Sequence, residues 1–202
     1  MPGTSGLRQD ADASQKNANG IPYLINAMAS RLTVHVFAKG VLSAFGHNPT
    51  IAIRDFKGQA QVNLEKLEES TCSLSIRASS LAVTDDVSEK DRREMEKQMF
   101  DEVLEVSSYP EITYQCSGIS ANQTGGGQYQ VELNGELTLH GITQNQRVPA
   151  RVSLNGETLT TFGEFVLNQS DFGIKQVSAI GGALKVKDEL KCSFHIVAQK
   201  QG

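Results

Sequence analysis

Four histidines and three cysteines are the side chains in this sequence best suited to hold a metal or act as nucleophiles. They are His35, His47, His140, His195, Cys72, Cys116 and Cys192. None stands in a His-x-His, His-x-x-x-His or Cys-x-x-Cys pattern, and no Cys/His pair has ligand spacing. The spacing therefore predicts neither a metal site nor a cofactor. One alternative stays open, in which His47 and His140 meet in the fold and hold a metal or a ligand head group.

Catalytic motifs are missing in the same way. The sequence has no Gly-x-Ser-x-Gly nucleophile elbow, and no cysteine lies in a recognisable nucleophile motif. Asp171-Phe172-Gly173 matches a kinase metal-binding triplet, but the Gly-rich loop, the strand lysine and the catalytic-loop motif of kinases are all absent. We therefore predict no catalytic residues and a protein that is not an enzyme.

The three cysteines are too few and too dispersed for a disulfide scaffold. We expect three buried or half-buried thiols. In an oxidising compartment, one disulfide and one free thiol is the alternative.

Composition excludes several classes of partner. The chain has 202 residues, with 19 Lys and Arg against 23 Asp and Glu, a net charge of −4. That balance argues against a broad surface for nucleic acid or anionic membranes. No apolar run approaches the roughly 18 residues that span a bilayer, which excludes an integral helical membrane protein.

The first 20 residues differ in composition from the rest. They are rich in Ser, Gly, Ala, Asn and Asp and poor in large apolar residues. We interpret 1–20 as a flexible tail and 21–202 as one domain. The basic start and apolar stretch of a secretory signal are absent, so we expect a cytoplasmic protein, or a periplasmic one if a signal has been removed.

Alternation of apolar and polar residues dominates the remainder. Side chains of a strand point to opposite faces in turn, so each alternating segment predicts a strand with one apolar face. The apolar members fall into six series: Leu32, Val34, Val36 and Ala38; Cys72, Leu74, Ile76 and Ala78; Ile112, Tyr114 and Cys116; Tyr129, Val131 and Leu133; Val148, Ala150, Val152 and Leu154; Leu190, Cys192, Phe194 and Ile196. Further candidate strands are 50–56, 58–64 and 160–167, and Asn-Gly and Gly-Gly-Gly turns separate the later strands.

One segment has helical rather than strand periodicity. Residues 88–104 are charged and free of Gly and Pro, and Met95, Met99 and Val103 recur every four residues. Ser88 and Asp91 resemble a capping box. We interpret the Met stripe as a packing face.

Many strands with one inserted helix favour an all-β fold. Without βαβ alternation there is no parallel sheet, and closure into a barrel removes exposed strand edges. We predict an extended, lipocalin-like antiparallel β-barrel of about eight strands with one inserted α-helix. Such a barrel either fills its interior with side chains or holds one small ligand.

Four segments in order carry a family resemblance. They read GVLSAFGHN at 40–48, FDEVLEVSSYPEITY at 100–114, GELTLHGITQNQR at 135–147 and FVLNQSDFGI at 165–174. Together they resemble the YceI-like family of lipocalin-like bacterial proteins, from about Tyr23 to Lys200. The resemblance implies an elongated barrel whose apolar interior holds a polyisoprenoid chain in some members.

The expected ligand is therefore a long apolar lipid, polyisoprenoid or isoprenoid-quinone-like, bound by a carrier or reservoir. Candidate ligand-binding residues are Phe45, His47, Phe56, Ile76, Tyr114, Val131, Phe172 and Phe194. Two other functions remain open: a non-enzymatic stress or interaction protein with a filled barrel, and a small hydrolase or isomerase acting on an apolar substrate near His47. Strand edges or the charged helix could also pair chains into a homodimer.

Overall fold

A computed structural model describes residues 20–39, 48–176, 178–179 and 184–202 of the chain. The candidate residues Phe45 and His47, and nearly all of the expected tail 1–20, lie outside the described residues. The strands are β1 Ile21–Ile25, β2 Arg31–Lys39, β3 Thr50–Ile53, β4 Phe56–Val62, β5 Thr71–Arg77, β6 Leu81–Val83, β7 Glu111–Gly125, β8 Gln128–Leu139, β9 Ile142–Asn155, β10 Thr158–Asn168, β11 Ser178–Ala179 and β12 Leu184–Lys200.

The strands form one closed antiparallel barrel. Neighbours follow the order β1-β4-β5-β7-β8-β9-β10-β12-β2-β3-β6, and β12 also pairs with β1, which closes the ring. Short breaks divide three long strands into β1 and β2, β3 and β4, and β5 and β6. With these breaks bridged, and without the two-residue β11, which pairs with β12 outside the ring, the barrel has eight strands, so the predicted fold is confirmed.

Alternation in the sequence becomes alternation of burial in the wall. In β9, Val148 and Ala150 are buried while Arg147, Pro149 and Arg151 between and beside them are more exposed. The same register continues through β8, because Leu133 pairs with Val148 and Val131 pairs with Ala150. Apolar side chains of neighbouring strands therefore share one face of the wall.

The helical segment lies between β6 and β7. Helix α1 spans Glu89–Gln98, and Ser88 caps it by accepting a hydrogen bond from the Asp91 amide at 3.1 Å. Ser88 is thus the N-cap, and the Asp91 carboxylate accepts from the Ser88 hydroxyl at 2.6 Å, where a capping box would have it accept from the Ser88 amide. The predicted helix of 88–104 is not regular to its end, because Met99–Val103 form a π-helical turn. A hydrogen bond from the Leu104 amide to the Met99 carbonyl closes this turn. Met99 and Leu104 are both buried, and the wider turn directs both side chains into the core.

The helix also protects the end of a strand. The carboxylate of Glu96 accepts a hydrogen bond from the Val83 amide of β6 at 2.9 Å. The Arg92 guanidinium donates to the Asp85 carbonyl at 2.9 Å. An unpaired strand amide at the sheet edge is thus satisfied by the helix instead of by another strand.

A cluster around His140, which we call the His140 cluster, joins the helical segment to the barrel. Glu105 and His140 have positive φ of 44° and 51°, the two described non-glycine residues that do. His140 Nε2 lies 2.7 Å from a Glu105 carboxylate oxygen, and Nδ1 lies 3.3 Å from the Phe172 carbonyl oxygen. Since both partners are acceptors, the protonated imidazole donates to both, whereas the neutral ring donates to one. Tyr109 packs against the imidazole with ring centroids 4.4 Å apart.

No helix among the described residues has both the length and the apolar composition needed to cross a membrane.

Two hairpin glycines offer a test of the His140 cluster. Gly141 and Gly156 have φ of 72° and 60°, but a Cβ at Gly141 would lie 2.5 Å from the Tyr109 ring, whereas a Cβ at Gly156 meets no atom within 4 Å. We expect Gly156→Ala to lower the free energy of unfolding by about 1 kcal/mol from backbone conformation alone. Gly141→Ala should cost a further ~1–3 kcal/mol because the Tyr109 ring must move. Urea unfolding followed by circular dichroism measures both, and equal losses would contradict this account of the cluster.

Candidate functional site

The barrel encloses a cavity of about 360 Å³. Its volume falls within the range of about 300–1,000 Å³ that is typical of ligand pockets. Along β12 the lining runs from Val186 to Ala198, about 40 Å of strand. The cavity is therefore elongated, with its long direction following the strands.

Different apolar side chains lie at the two ends of the cavity. At one end, which we call the helical end, Met95, Met99, Val103 and Leu104 contribute to the lining. At the far end, a small cluster of Tyr23, Val62, Leu159 and Ala198 packs between β1, β4, β10 and β12. The predicted packing face of the helix is present, and the same side chains also line the cavity.

Two aromatic rings explain why the middle of the barrel stays hollow. A Cβ at Gly163 would lie 2.7 Å from Cζ of Phe194, and a Cβ at Gly135 would lie 2.8 Å from Cζ of Tyr114. Each ring thus occupies the space that a side chain on the neighbouring strand would take. The rings lie along the wall instead of across the lumen, as aromatic residues beside strand glycines commonly do.

Tyr114 is also held at its polar end. Its hydroxyl lies 3.1 Å from the carbonyl oxygens of Leu133 and Gln146, to either of which it can donate. Burial raises the pKa of the Tyr114 hydroxyl, so it remains a neutral donor. The ring is fixed by an apolar contact on one side and a hydrogen bond at its tip.

The described lining carries no formal charge. None of the lining residues is Asp, Glu, Lys, Arg or His. Gln169 is buried and donates to the Lys187 carbonyl at 2.9 Å. Among the described residues, the hydroxyl of Thr161 on the lining has no hydrogen-bond partner.

The structure places the predicted ligand-binding residues in three environments. Ile76, Tyr114 and Phe194 lie on the cavity wall. Phe56 and Phe172 are buried in the main hydrophobic core but are not among the lining residues. Val131 borders a second, more polar depression together with Arg151 and the exposed Phe162. Contact of these residues with a ligand stays a prediction.

Several lining residues were not singled out from the sequence. The helical side chains were interpreted as packing residues, and Leu133, Leu137 and Leu139 of β8 were not named as ligand contacts. Strand alternation could have identified the leucines, because they lie on one face of β8 with Gly135 between Leu133 and Leu137. Which part of an inward face borders a void and which part is filled depends on the packing of the whole barrel.

The three cysteines are free thiols, buried or half-buried as expected. Cys192 lies on the part of the cavity wall formed by β12, and burial raises the pKa of its thiol to about 12. Cys72 and Cys116 are cross-strand partners on β5 and β7, and the Cys116 thiol donates to the Gly118 carbonyl at 3.4 Å. Interaction with the Cys72 thiol lowers the pKa of Cys116 to about 7, and the same interaction together with burial raises the pKa of Cys72 well above its usual value.

Metal binding finds no support in the part of the chain that the structure describes. There, no three His, Cys, Asp or Glu side chains lie close enough together to hold an ion. Both ring nitrogens of His140 already have protein acceptors. The absence of a metal or cofactor in the working protein stays a prediction.

Comparison with known proteins identifies the family. The YceI-like domain matches residues 23–198. The chain belongs to the YceI-like family. A UPF0312 protein of Pseudomonas savastanoi pv. phaseolicola is 25% identical over 175 residues, covering 82% of this chain and 83% of the relative.

Solved structures have the same fold. BcnA of Burkholderia cenocepacia has a TM-score of 0.67 at 22% identity and covers 87% of this chain and 99% of its own. A polyisoprenoid-binding domain from Saccharophagus degradans, implicated in plant cell wall breakdown, has a TM-score of 0.66 at 14% identity and covers 90% and 99%. At these identities the likeness establishes the fold.

Three of the four segments that resemble YceI-like proteins meet in the His140 cluster. The segment 100–114 supplies Glu105 and Tyr109, the segment 135–147 supplies His140, and the segment 165–174 supplies Phe172. The fourth segment, 40–48, lies outside the described residues apart from Asn48. In this YceI-like chain the diagnostic motifs therefore hold the helical segment on the barrel.

Cys192 provides a test of burial at the cavity wall. Burial raises the pKa of Cys192, so the folded protein keeps the thiol proton above pH 9. In the unfolded chain the thiol has its ordinary pKa near 9 and loses the proton there. This contribution to stability is fully present below about pH 9 and is lost as pH rises towards 12. We expect the free energy of unfolding to fall by up to ~1.4 kcal/mol per pH unit between pH 9 and 11 because of this one group.

The measurement compares wild type with Cys192→Ala in urea at several pH values. Tyrosines, lysines and the other cysteines titrate in both proteins, so the difference between the two curves reports Cys192. Parallel curves across this range would show that the thiol is not shielded from solvent.

Proposed function

We propose that this protein binds one long apolar lipid of the polyisoprenoid class in the barrel interior and acts as its carrier or reservoir. The observation that carries the proposal is an elongated cavity whose described lining contains no charged side chain and no histidine. Burial of hydrocarbon contributes about 25 cal/mol per Å² removed from water, so such a wall favours a chain of carbon over a charged ligand.

The relatives support this choice of ligand. A structural neighbour from Saccharophagus degradans is described as a polyisoprenoid-binding domain. Both proteins have a YceI-like fold, and an isoprenoid chain suits a long, narrow cavity because it is itself long, flexible and uncharged. The likeness in fold and the character of the wall thus favour the same class of ligand.

A binding role is favoured over catalysis. General acid–base chemistry needs a titratable side chain within reach of the substrate. Among the described residues that line the cavity, the titratable side chains are Tyr114, Cys72 and Cys192, and each has a pKa raised above its usual value. Cys116, with a pKa of about 7, is buried and is not among the lining residues. No described side chain that lines the cavity therefore exchanges protons near neutral pH, and such a cavity is suited to hold a molecule without changing it.

The direct test of the ligand site replaces Phe194 with a carboxylate. Phe194 lies on the wall, whereas Phe162 is on the next strand, is 47% exposed and pairs with the adjacent residue His195. Placing a charge in an apolar cavity costs several kcal/mol, so we expect Phe194→Glu to weaken uptake of labelled polyprenol at least ~10-fold. Phe162→Glu should leave uptake unchanged.

Circular dichroism verifies that each variant is folded. Phe194→Ala, which enlarges the cavity and adds no charge, should fold and still take up the lipid. If folded Phe194→Glu binds polyprenol as wild type does, the ligand does not lie in this cavity and the proposal is wrong.

The unpaired hydroxyl of Thr161 distinguishes a quinone-like ligand from a hydrocarbon. A carbonyl oxygen of an isoprenoid quinone can accept a hydrogen bond from this hydroxyl, whereas squalene cannot. We expect Thr161→Val, which keeps the shape and removes the donor, to weaken quinone binding ~5–10-fold. Squalene affinity should stay the same or rise, and equal effects on both probes would show that Thr161 does not contact the ligand's oxygen.

A further inference from the structure

Cys72 and Cys116 form a contact that lipid binding does not require. They are directly opposite each other on β5 and β7, in a register that continues through Leu74 and Tyr114. The Cys116 thiol donates a hydrogen bond to the Gly118 carbonyl of its own strand at 3.4 Å. Cys72 lies on the cavity wall, and Cys116 is buried with 4% of its surface exposed.

Their placement suits a covalent bond between the sulfurs. Directly opposite residues of antiparallel strands have Cα atoms about 4.5–5.5 Å apart. Disulfides need Cα atoms about 4.4–6.8 Å apart. The backbone of this pair therefore needs little movement for the sulfurs to join.

The backbone at Cys116 is irregular and closely packed on the side that faces β8. The register between β7 and β8 shifts between Cys116 and Gly118, which is a β-bulge. Opposite Cys116 stands Gly135, where a Cβ would lie 2.9 Å from the Cys116 Cα. Bulges commonly redirect a neighbouring side chain, and here the bulge adjoins the thiol pair.

The chemistry of the two thiols is complementary. A thiol whose pKa is lowered to about 7 is substantially thiolate at neutral pH, and the thiolate is the form that reacts with oxidants. The Cys72 thiol stays protonated at neutral pH and lies directly opposite the Cys116 thiolate. Cys192, alone and with a pKa near 12, is an internal control because it is protonated at neutral pH.

We propose that Cys72 and Cys116 are a reversible dithiol–disulfide site in the wall of the cavity, oxidised by hydroperoxides. The Cys116 thiolate attacks the terminal peroxide oxygen, the O–O bond breaks, and the other oxygen leaves as water, or as an alcohol from an organic hydroperoxide, after taking a proton. The Cys72 sulfur then attacks the sulfenic sulfur, the S–S bond forms as the S–O bond breaks, and the departing hydroxide takes the Cys72 proton and leaves as water. Two thiols are oxidised to one disulfide and the peroxide is reduced, and a dithiol reductant reverses the change.

The disulfide would enclose the whole helical segment. Between Cys72 and Cys116 lie β6, α1 and the π-helical turn that contributes to the cavity lining. Closing this loop restricts the unfolded chain and ties the strands on both sides of the helical segment. Oxidation is therefore expected to stabilise the helical end of the barrel, independently of which ligand the cavity holds.

The test treats the folded full-length protein with hydrogen peroxide at pH 7.5, blocks free thiols with iodoacetamide, and analyses the peptides by mass spectrometry. We expect a cross-linked peptide joining Cys72 to Cys116, its loss after dithiothreitol, and Cys192 alkylated after denaturation. Cys72→Ser and Cys116→Ser should each abolish the cross-link, whereas Cys192→Ala should retain it.

Thermal unfolding supplies a second readout. Oxidised wild type should melt at a higher temperature than the reduced protein, and Cys116→Ser should show no such shift. Folded wild type whose Cys72 and Cys116 stay reduced, or pass to sulfinic acid without a cross-link, would overturn the proposal. Cross-links from Cys72 or Cys116 to Cys192, formed in a yield similar to that of the Cys72–Cys116 cross-link, would also overturn the proposal.

Discussion

The structure depends on the pairing of β12 with both β1 and β2. This pairing turns the row of strands into a closed ring, in which β1 and β12 each have a paired strand on both sides. A closed wall is held together by its own hydrogen bonds, so its interior need not be completely filled to keep the strands in place. A hollow, apolar lumen is possible only because the ring closes.

The cavity then follows from where the large side chains go. Phe194 and Tyr114 lie against Gly163 and Gly135, which moves two rings from the lumen to the wall. Apolar side chains of the helical segment lie at one end of the cavity, and the cluster of Tyr23, Val62, Leu159 and Ala198 lies at the other. The His140 cluster anchors the helical segment through two residues with positive φ, so the local strain is concentrated at a junction of three segments.

Much of this fold could be predicted from the sequence because its signals are local. Alternation with period two marks the strands, and the stripe of Met95, Met99 and Val103 marks the helix. The π-helical turn could not be predicted, because it depends on burial of Met99 and Leu104 against distant strands. The contact between Cys72 and Cys116 was missed for a similar reason: the two are 44 positions apart, and the strand register that brings them together depends on the whole sheet.

The site was only partly accessible from the sequence. Inward faces could be recognised, and Ile76, Tyr114 and Phe194 do lie on the cavity wall. Alternation alone cannot distinguish an inward-facing residue beside a void, such as Phe194, from one in solid packing, such as Phe56. That distinction depends on what the facing strand places opposite, and here a glycine decides it.

Native mass spectrometry of the full-length protein, purified without detergent or organic solvent and then mixed with excess polyprenol, tests the central claim most directly. The account predicts one lipid bound per chain, a narrow folded charge distribution, and release of the lipid on denaturation. A folded protein that keeps its bare mass before and after mixing would contradict it.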